Sequence, residues 1–164
     1  MNSSIRLFTA SDWSSVSEIY KHGLLTRNAT FETEVPEYET WIKKFHSHLL
    51  LVAIFNNEVV GWSGLQPVSV RKVYEGVSEV TIYVHPDYSG KGIGSLLMNH
   101  LITESEKAGI WSLYASIFPE NTSSIQLHIK CGFREIGYRE RIAQLDGVWR
   151  NTVLYERRSK MAGK

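Results

Sequence analysis

The feature that most constrains this chain is a strand-like segment that runs into a glycine-rich turn and then into a helix. Within segment 83–97, glycines stand at the alternate positions Gly90, Gly92 and Gly94. Glycines let several backbone N–H groups crowd one point, and a helix N-terminus adds partial positive charge there. The turn therefore predicts a site for an anion such as a pyrophosphate. A flexible connection between a strand and a helix is the plainer interpretation of three glycines.

Two well-known phosphate-binding loops fit this turn poorly. A Walker A loop needs Gly-Lys followed by Ser or Thr, whereas Lys91 is followed by Gly92. A dinucleotide-binding fingerprint needs its strand near the start of a βαβ unit, with an acidic residue after a second strand. Here the turn lies in the middle of the chain, after a predicted antiparallel hairpin. The glycines by themselves therefore leave the ligand open.

Length, charge and cysteine content exclude several classes of protein. A chain of 164 residues fits one domain that buries its own core. A formal net charge of +1 gives no concentrated basic face, so we expect no nucleic-acid partner. No stretch approaches the ~20 apolar residues of a membrane span, and the first residues lack a signal peptide. The single Cys131 has no partner for an internal disulfide, and we therefore expect a cytoplasmic protein.

Apolar periodicity and turn residues predict the element order β-α-α-β-β-β-α-β-α-β-β, a single mixed α/β domain. We expect one domain over residues 1–157 and a frayed basic tail over 158–164. The pairs Asn56-Asn57 and Asp146-Gly147 predict hairpin turns. Strands are predicted over 5–8, 49–55, 59–65, 77–84, 111–118, 133–143 and 148–155.

Four helices are predicted between these strands. The first presents an apolar face through Val16, Ile19, Tyr20, Gly23 and Leu24. The second is expected to begin at Pro36, a residue suited to the first helical position. It should bury Trp41, Ile42 and Phe45. The third is expected to close at Gly109, and the fourth to begin near the cap candidate Asn121 and to stop at Gly132.

The turn and several further segments resemble a known family. The run Ser89-Gly90-Lys91-Gly92-Ile93-Gly94 resembles the Arg/Gln-x-x-Gly-x-Gly/Ala pattern of the GCN5-related N-acetyltransferases, with Ser89 replacing the first residue. That change removes a side-chain contribution but leaves the backbone N–H groups. Segments 29–32, 79–84, 121–124, 127–133 and 147–151 are similar to one branch, the phosphinothricin and methionine sulfone (L-amino-acid) N-acetyltransferases. The resemblance implies a mixed, mostly antiparallel sheet flanked by about four helices.

The resemblance also implies an activity and its co-substrate. It implies an enzyme that transfers the acetyl group of acetyl-CoA, in a ternary complex, to the amino group of a small amino-acid-like acceptor. Phosphinothricin, methionine sulfone and methionine sulfoximine are acceptors of this type. It implies a homodimer and no metal. The residues that it assigns to acetyl-CoA binding are Ile82, Tyr83, Val84, Gly90, Lys91, Gly92, Ile93, Gly94, Ser95, Asn121 and Lys130.

Two residues are candidates for the chemistry. A thioester is attacked only by a neutral amine, and a carboxylate near the acceptor nitrogen can remove its proton. Strand alternation puts Glu79 with Thr81 and Tyr83 on one face, so Glu79 can face a cleft, although a solvated carboxylate is the simpler interpretation. The resemblance implies that Glu79 is the base. It also implies that His128 donates a proton or organises the acceptor site, while packing of the helix is an equal alternative.

The acceptor site is predicted from the resemblance with one argument from chemistry. A free carboxylate or phosphinate favours a guanidinium, which pairs bidentately with planar anions. Arg71 and Tyr74 match the branch's Arg-x-x-Tyr pattern, and Phe31 and Glu32 match its early loop. A second arginine of that pattern is Ser69 here, which leaves the preferred amino acid open. Two alternative functions are acetylation of a protein N-terminus or lysine, and acyl-CoA sensing without turnover.

Overall fold

The computed structural model, which describes residues 3–164, is built on one sheet of seven strands. The strands are β1 (Ser3–Leu7), β2 (Leu50–Phe55), β3 (Glu58–Pro67), β4 (Val77–Val84), β5 (Ser112–Ile117), β6 (Arg134–Leu145) and β7 (Val148–Arg158). The helices are α1 (Trp13–Leu25), α2 (Tyr38–Ile42), α3 (Ile93–Lys107) and α4 (Thr122–Lys130). The strand order is β1-β2-β3-β4-β5-β7-β6, and every neighbouring pair is antiparallel except β4 and β5. The predicted fold class is confirmed.

Both predicted hairpin turns are confirmed. Asn56 and Asn57 have φ angles of 49° and 66°, and Asp146 and Gly147 have φ angles of 50° and 78°. Two successive residues with positive φ form the turn whose twist matches that of the flanking strands. These turns fix the antiparallel registers of β2 with β3 and of β6 with β7.

Helices pack on the sheet in two separate core clusters. The side chains of α3 that pack on the sheet, including Leu97 and Leu101, belong to the larger core cluster. The second cluster joins α1 and α2 to β2 and β3. The predicted face of α1 is confirmed, since Val16, Ile19, Tyr20 and Leu24 are buried. Gly23 is needed for this packing, because a Cβ atom there would clash with the Tyr83 ring.

The ends of α3 and α4 follow the predicted signals. Gly109 follows the last turn of α3 with a φ of 81°, a conformation that glycine adopts without steric cost. The side-chain oxygen of Asn121 accepts a hydrogen bond from the Ser124 N–H at 3.3 Å and caps α4. No helix among residues 3–164 is long and apolar enough to cross a membrane.

The prediction for the start of α2 was wrong by two residues. The helix begins at Tyr38, and its N-cap Glu37 is extended, with a ψ of 148°. Because an extended residue stands between them, Pro36 precedes the helix rather than opening it. Trp41 is fully buried as predicted, whereas Ile42 is partly buried and the partly buried Phe45 lies beyond the end of the helix.

The prediction of a frayed tail was also wrong. Strand β7 continues to Arg158, and the Ser159 hydroxyl donates a hydrogen bond to Glu106 at 2.9 Å. The same hydroxyl oxygen accepts hydrogen bonds from the N–H groups of Met161 and Ala162. The Arg158 guanidinium binds the Gly163 carbonyl at 2.6 Å. Hydrogen bonds within the last residues therefore hold the tail against α3, which apolar periodicity alone does not predict.

The parallel strands β4 and β5 separate soon after they meet. Their pairing covers Val77–Ser112, Ser78–Leu113 and Glu79–Tyr114 and goes no further among the described residues. Strand β4 nevertheless continues to Val84 and β5 to Ile117. The two strands therefore diverge and open a gap in the middle of the sheet.

Candidate active site

The gap between β4 and β5 opens into a cavity of about 900 Å³. Its walls include the ends of both strands, the glycine turn, the loop after α1 and the first turns of α4. The sequence-predicted residues on these walls are Phe31, Glu32, Glu79, Ile82, Tyr83, Val84, Gly90, Gly92, Ile93, Gly94, Ser95, Asn121, His128 and Lys130. One continuous cavity therefore brings together most of the predicted site.

Backbone groups of β4 point into the gap at alternate residues. The His85 N–H donates to the Val60 carbonyl at 2.8 Å, and the Val77 carbonyl accepts from Val68. Odd-numbered residues of β4 thus direct their backbone groups toward β3, and even-numbered residues direct theirs toward β5. Beyond the last parallel pair, Ile82 and Val84 present backbone N–H and C=O groups to the cavity. Tyr83 differs from the prediction, because its backbone faces β3 and its ring lines the cavity wall.

The glycine turn forms an open cradle at the N-terminus of α3. Gly90 and Gly92 have φ angles of 73° and 82°, and a Cβ atom at either position would meet no atom within 4 Å. Gly92 is the N-cap of α3, so the first N–H groups of that helix face the same space. This arrangement suits a phosphate group. The Lys91 ammonium instead lies over the Tyr88 ring, 4.8 Å from its centroid, and Lys91 does not line the cavity.

Glu79 lies on the cavity wall where β4 and β5 begin to separate. Its carboxylate accepts a hydrogen bond from the Gln66 side chain at 3.3 Å, across the β3–β4 pair. Burial raises the pKa of the Glu79 carboxyl above its ordinary value, while the Gln66 hydrogen bond and the charge of Arg139 act in the opposite direction. A half-buried carboxylate with a raised pKa is a stronger base than a solvated one. Glu79 is therefore suited to accept a proton at neutral pH.

His128 is held as a neutral imidazole. Its Nδ1 lies 2.7 Å from the Ser124 carbonyl oxygen, so Nδ1 carries the proton and donates it. Burial lowers the pKa of His128, and its ring packs against Phe133 with centroids 4.9 Å apart. Nε2 is buried and has no hydrogen-bond partner within residues 3–164. Since neutral Nε2 has no proton to donate, the geometry favours positioning of α4 over acid catalysis.

The loop after α1 is tied to the far side of the cavity. The Arg150 guanidinium donates to the Arg27 carbonyl at 2.8 Å and to the Asn28 side chain at 3.2 Å. The Asn121 side-chain NH2 group donates to the Asn28 carbonyl at 3.1 Å. The nitrogen and the oxygen of this side-chain amide therefore both have hydrogen-bond partners within the protein. The Phe31 ring meets the Phe118 ring edge-to-face at 4.8 Å. These contacts hold Phe31 and Glu32 at the cavity wall.

Arg71 and Tyr74 lie away from this cavity. The Arg71 guanidinium stacks over the Tyr74 ring, 5.3 Å from its centroid, and both side chains are exposed. Neither residue lines the cavity. The structure therefore does not bring the predicted anion-binding pair to the other site residues.

Several residues that line the cavity were not predicted from the sequence as site residues. Tyr20, Trp41 and Trp62 form an aromatic wall with Tyr83, and the Trp62 and Tyr83 rings stack at 5.2 Å. Trp41 and Tyr20 carried a helical-periodicity signal, but that signal indicated only a core. Gln66 and Lys44 line the same region without any signal in the sequence.

The described residues contain no cluster of metal-ligating side chains, and the one cysteine lies outside the cavity. Among residues 3–164, no group of three His, Cys, Asp or Glu side chains is placed to hold a metal ion. Cys131 does not line the cavity, and burial raises the pKa of its thiol. A raised pKa disfavours the thiolate, the form in which cysteine acts as a nucleophile.

Comparisons with known proteins find a matching family model and related enzymes. Residues 13–133 match the model of the Acetyltransferase (GNAT) family. Phosphinothricin N-acetyltransferase of Alcaligenes faecalis is 31% identical over 161 residues, which cover 93% of this chain and 81% of that protein. The L-methionine sulfoximine/L-methionine sulfone acetyltransferase of Salmonella typhimurium is 27% identical over 150 residues, covering 88% of each.

A solved structure extends the similarity to the whole fold. The phosphinothricin acetyltransferase of Sinorhizobium meliloti, solved in complex with AcCoA, superposes with a TM-score of 0.89 at 27% identity. The match covers 99% of this chain and 91% of that one.

The glycine turn gives a direct test of acetyl-CoA binding. A ligand that binds only the native state raises its stability by about 2.7 kcal/mol at 100 times its dissociation constant. We expect Gly92→Ala to remove most of the thermal shift caused by acetyl-CoA, because the new methyl group occupies the cradle. Gly109→Ala is the matched control, with nearly the same φ (81° against 82°) and the same open surroundings, but outside the cavity. Equal thermal shifts in both variants would contradict the role of the turn.

Proposed function

The chain belongs to the Acetyltransferase (GNAT) family, and on that premise we propose that it transfers an acetyl group from acetyl-CoA to the amino group of a small amino-acid-like acceptor. Phosphinothricin, methionine sulfone and methionine sulfoximine are the acceptors that the related enzymes suggest. The observation that carries the proposal is the half-buried carboxylate of Glu79 in a cavity that also contains an anion cradle.

The described residues fit acetyl-CoA as the acyl donor. When bound, it supplies a thioester, an acyl group activated toward attack by an amine. The glycine turn and the first turn of α3 suit its pyrophosphate. The backbone groups of Ile82 and Val84 suit an extended chain that carries amides, because these groups bind it as a neighbouring strand would. An N–H group of this strand edge can also stabilise negative charge that develops on the acyl oxygen.

Glu79 supplies the base in this proposal. An amino acid at neutral pH carries an ammonium group, which has no lone pair for attack. Glu79 accepts the proton directly or through one water, and Gln66 holds the carboxylate at the cavity wall. Glu79 is ionised above its raised pKa, so activity should rise with pH through a value above 4.5.

The acceptor end of the cavity favours a small molecule over a peptide. The loop that carries Phe31 and Glu32 is held beside this end, since Arg150 binds the Arg27 carbonyl and the Phe31 ring packs on Phe118. Aromatic side chains and Gln66 line the remaining wall. A pocket bordered by this loop and by aromatic side chains supports a free amino acid, whereas acetylation of a protein N-terminus or lysine favours an open groove.

We also propose that the enzyme is a cytoplasmic homodimer. Strand β6 forms an edge of the sheet, and the last hairpin exposes the apolar side chains of Ile136, Tyr138, Val148 and Trp149. A second copy of the chain packed on this hairpin would cover them. Light scattering should give twice the mass of the chain, and Trp149→Glu should shift it to the monomer. A wild-type monomer at micromolar concentration would contradict the dimer.

The chemistry is tested by thiol release from acetyl-CoA with methionine sulfone as the acceptor. We expect Glu79→Gln to lower turnover at neutral pH by about 10²–10⁴, the usual contribution of a general base. Acetyl-CoA should still protect the variant thermally, since the cradle is unchanged. A higher pH should partly restore turnover, because more acceptor is then a free amine. Glu75→Gln, a change of an exposed carboxylate outside the cavity, is the matched control.

Three outcomes separate this proposal from its alternatives. Near-normal turnover of Glu79→Gln at saturating acceptor would contradict the role of Glu79 as the base but not acetyl transfer. Turnover confined to peptide acceptors would indicate a protein acetyltransferase. Binding of acetyl-CoA with no turnover on any amine would indicate an acyl-CoA sensor.

A further inference from the structure

Arg139 on β6 faces the same side of the sheet as Glu79, and we propose that it binds the carboxylate of the amino-acid acceptor. This inference rests on the proposed acetyl transfer to an amino acid. It assigns the anion-binding role to a different residue from Arg71, which the sequence pattern indicated. Neither arginine lines the cavity itself, but Arg139 directly opposes Thr152, a residue of the cavity wall.

The register of the strands establishes that the two residues share a face. Directly opposed residues on neighbouring strands project their side chains to the same side of a sheet. Glu79 opposes Tyr114, and Tyr114 opposes Glu156 on β7. Thr152 lies four positions before Glu156 and therefore shares its face, and Arg139 opposes Thr152. Thr152 is itself buried in the cavity wall, so Arg139 stands beside that wall.

This face of the sheet is open near Arg139. The helices α1 and α2 pack on β2 and β3, and the cluster that they form does not extend to β5, β7 or β6. Two irregularities in the β6–β7 register, at Glu135/Gly137 and at Arg139/Ala143, flank Arg139. Such bulges bend a strand and redirect its side chains, and they occur often beside active sites. The long side chain of Arg139 can therefore extend toward the cavity.

Arg139 is free to bind a ligand. Within residues 3–164 it is the one arginine whose guanidinium has neither a hydrogen bond, an ion pair nor an aromatic ring to stack on. Arg71 and Arg141 stack on Tyr74 and Trp149. The remaining arginines hold carboxylates or carbonyl groups, namely Arg6, Arg27, Arg134, Arg150, Arg157 and Arg158. An unpaired guanidinium presents all its donors to a planar carboxylate.

The position of Arg139 also matches the shape of an α-amino acid. The ammonium and the carboxylate of such a molecule are attached to the same carbon atom. The cation that holds the carboxylate must therefore lie near the base that faces the ammonium. Arg139 is the cation whose charge lowers the pKa of Glu79 against the effect of burial. Lys44 also lines the cavity, but its ammonium has no such influence on Glu79 and lacks the fork geometry of a guanidinium.

The test compares methionine sulfone with methionine sulfone amide, in which an uncharged carboxamide of nearly the same size replaces the carboxylate. For Arg139→Gln we expect kcat/KM for the acid to fall roughly 10- to 100-fold, the value of a charged hydrogen bond, mainly through KM. The value for the amide should change less than about twofold. Arg139→Lys should keep part of the preference for the acid, because it keeps the charge. Arg141→Gln is the matched control on the same strand, and Arg71→Gln tests the residue that the sequence indicated.

The outcomes separate this inference from the proposed function. If Arg139→Gln lowered kcat/KM equally for the acid and the amide, the inference would be overturned, since a purely structural role of Arg139 gives that result. A loss of preference for the acid in Arg71→Gln and not in Arg139→Gln would also overturn it. Wild-type protein that acetylates neither compound would instead refute the proposed function, and the inference with it. A normal thermal shift with acetyl-CoA in every variant confirms that each one is folded.

Discussion

The site depends on the short parallel contact between β4 and β5. Three residue pairs hold the strands together, and the strands then diverge within a sheet that is otherwise antiparallel. A buried strand edge is costly unless its backbone groups find partners. In this fold the edge of β4 faces a cavity rather than a hydrophobic core, so Ile82 and Val84 keep backbone groups for a ligand. The glycine turn that follows β4 adds the anion cradle at one end of the same gap.

The electrostatic character of the site follows from the same geometry. Glu79 is the last residue of β4 that pairs with β5, so it lies where the buried sheet meets the open gap. Burial raises its pKa while access to the cavity remains. The His128 ring is buried, and the N–H group at its Nδ1 donates to the Ser124 carbonyl. Burial thus acts on two titratable groups of one cavity in opposite directions, raising the pKa of Glu79 and lowering that of His128.

Most of the fold was predictable from local patterns, and the site only in part. Asn56-Asn57 and Gly109 determine their turns through backbone preferences, and Asn121 caps α4 through its own side chain; the sequence displays all of these directly. The start of α2 at Tyr38 and the bound tail after Arg158 depend on contacts made elsewhere in the fold. Gln66 meets Glu79, and Arg139 shares its face of the sheet, only because of strand register, which spacing along the chain does not reveal. For the same reason, the local pattern around Arg71 indicated an anion site that the structure does not bring to the cavity.

The most direct measurement is amide hydrogen exchange of β4 with and without acetyl-CoA, followed residue by residue by NMR. The amides of Ile82 and Val84 face the gap, whereas the amide of Tyr83 faces β3. We predict that saturating acetyl-CoA slows exchange at Ile82 and Val84 and leaves Tyr83 unchanged, because only the first two gain a hydrogen-bond acceptor. Unchanged exchange at Ile82 and Val84, in a sample whose melting temperature acetyl-CoA raises, would contradict the account, since the ligand would then bind away from the gap.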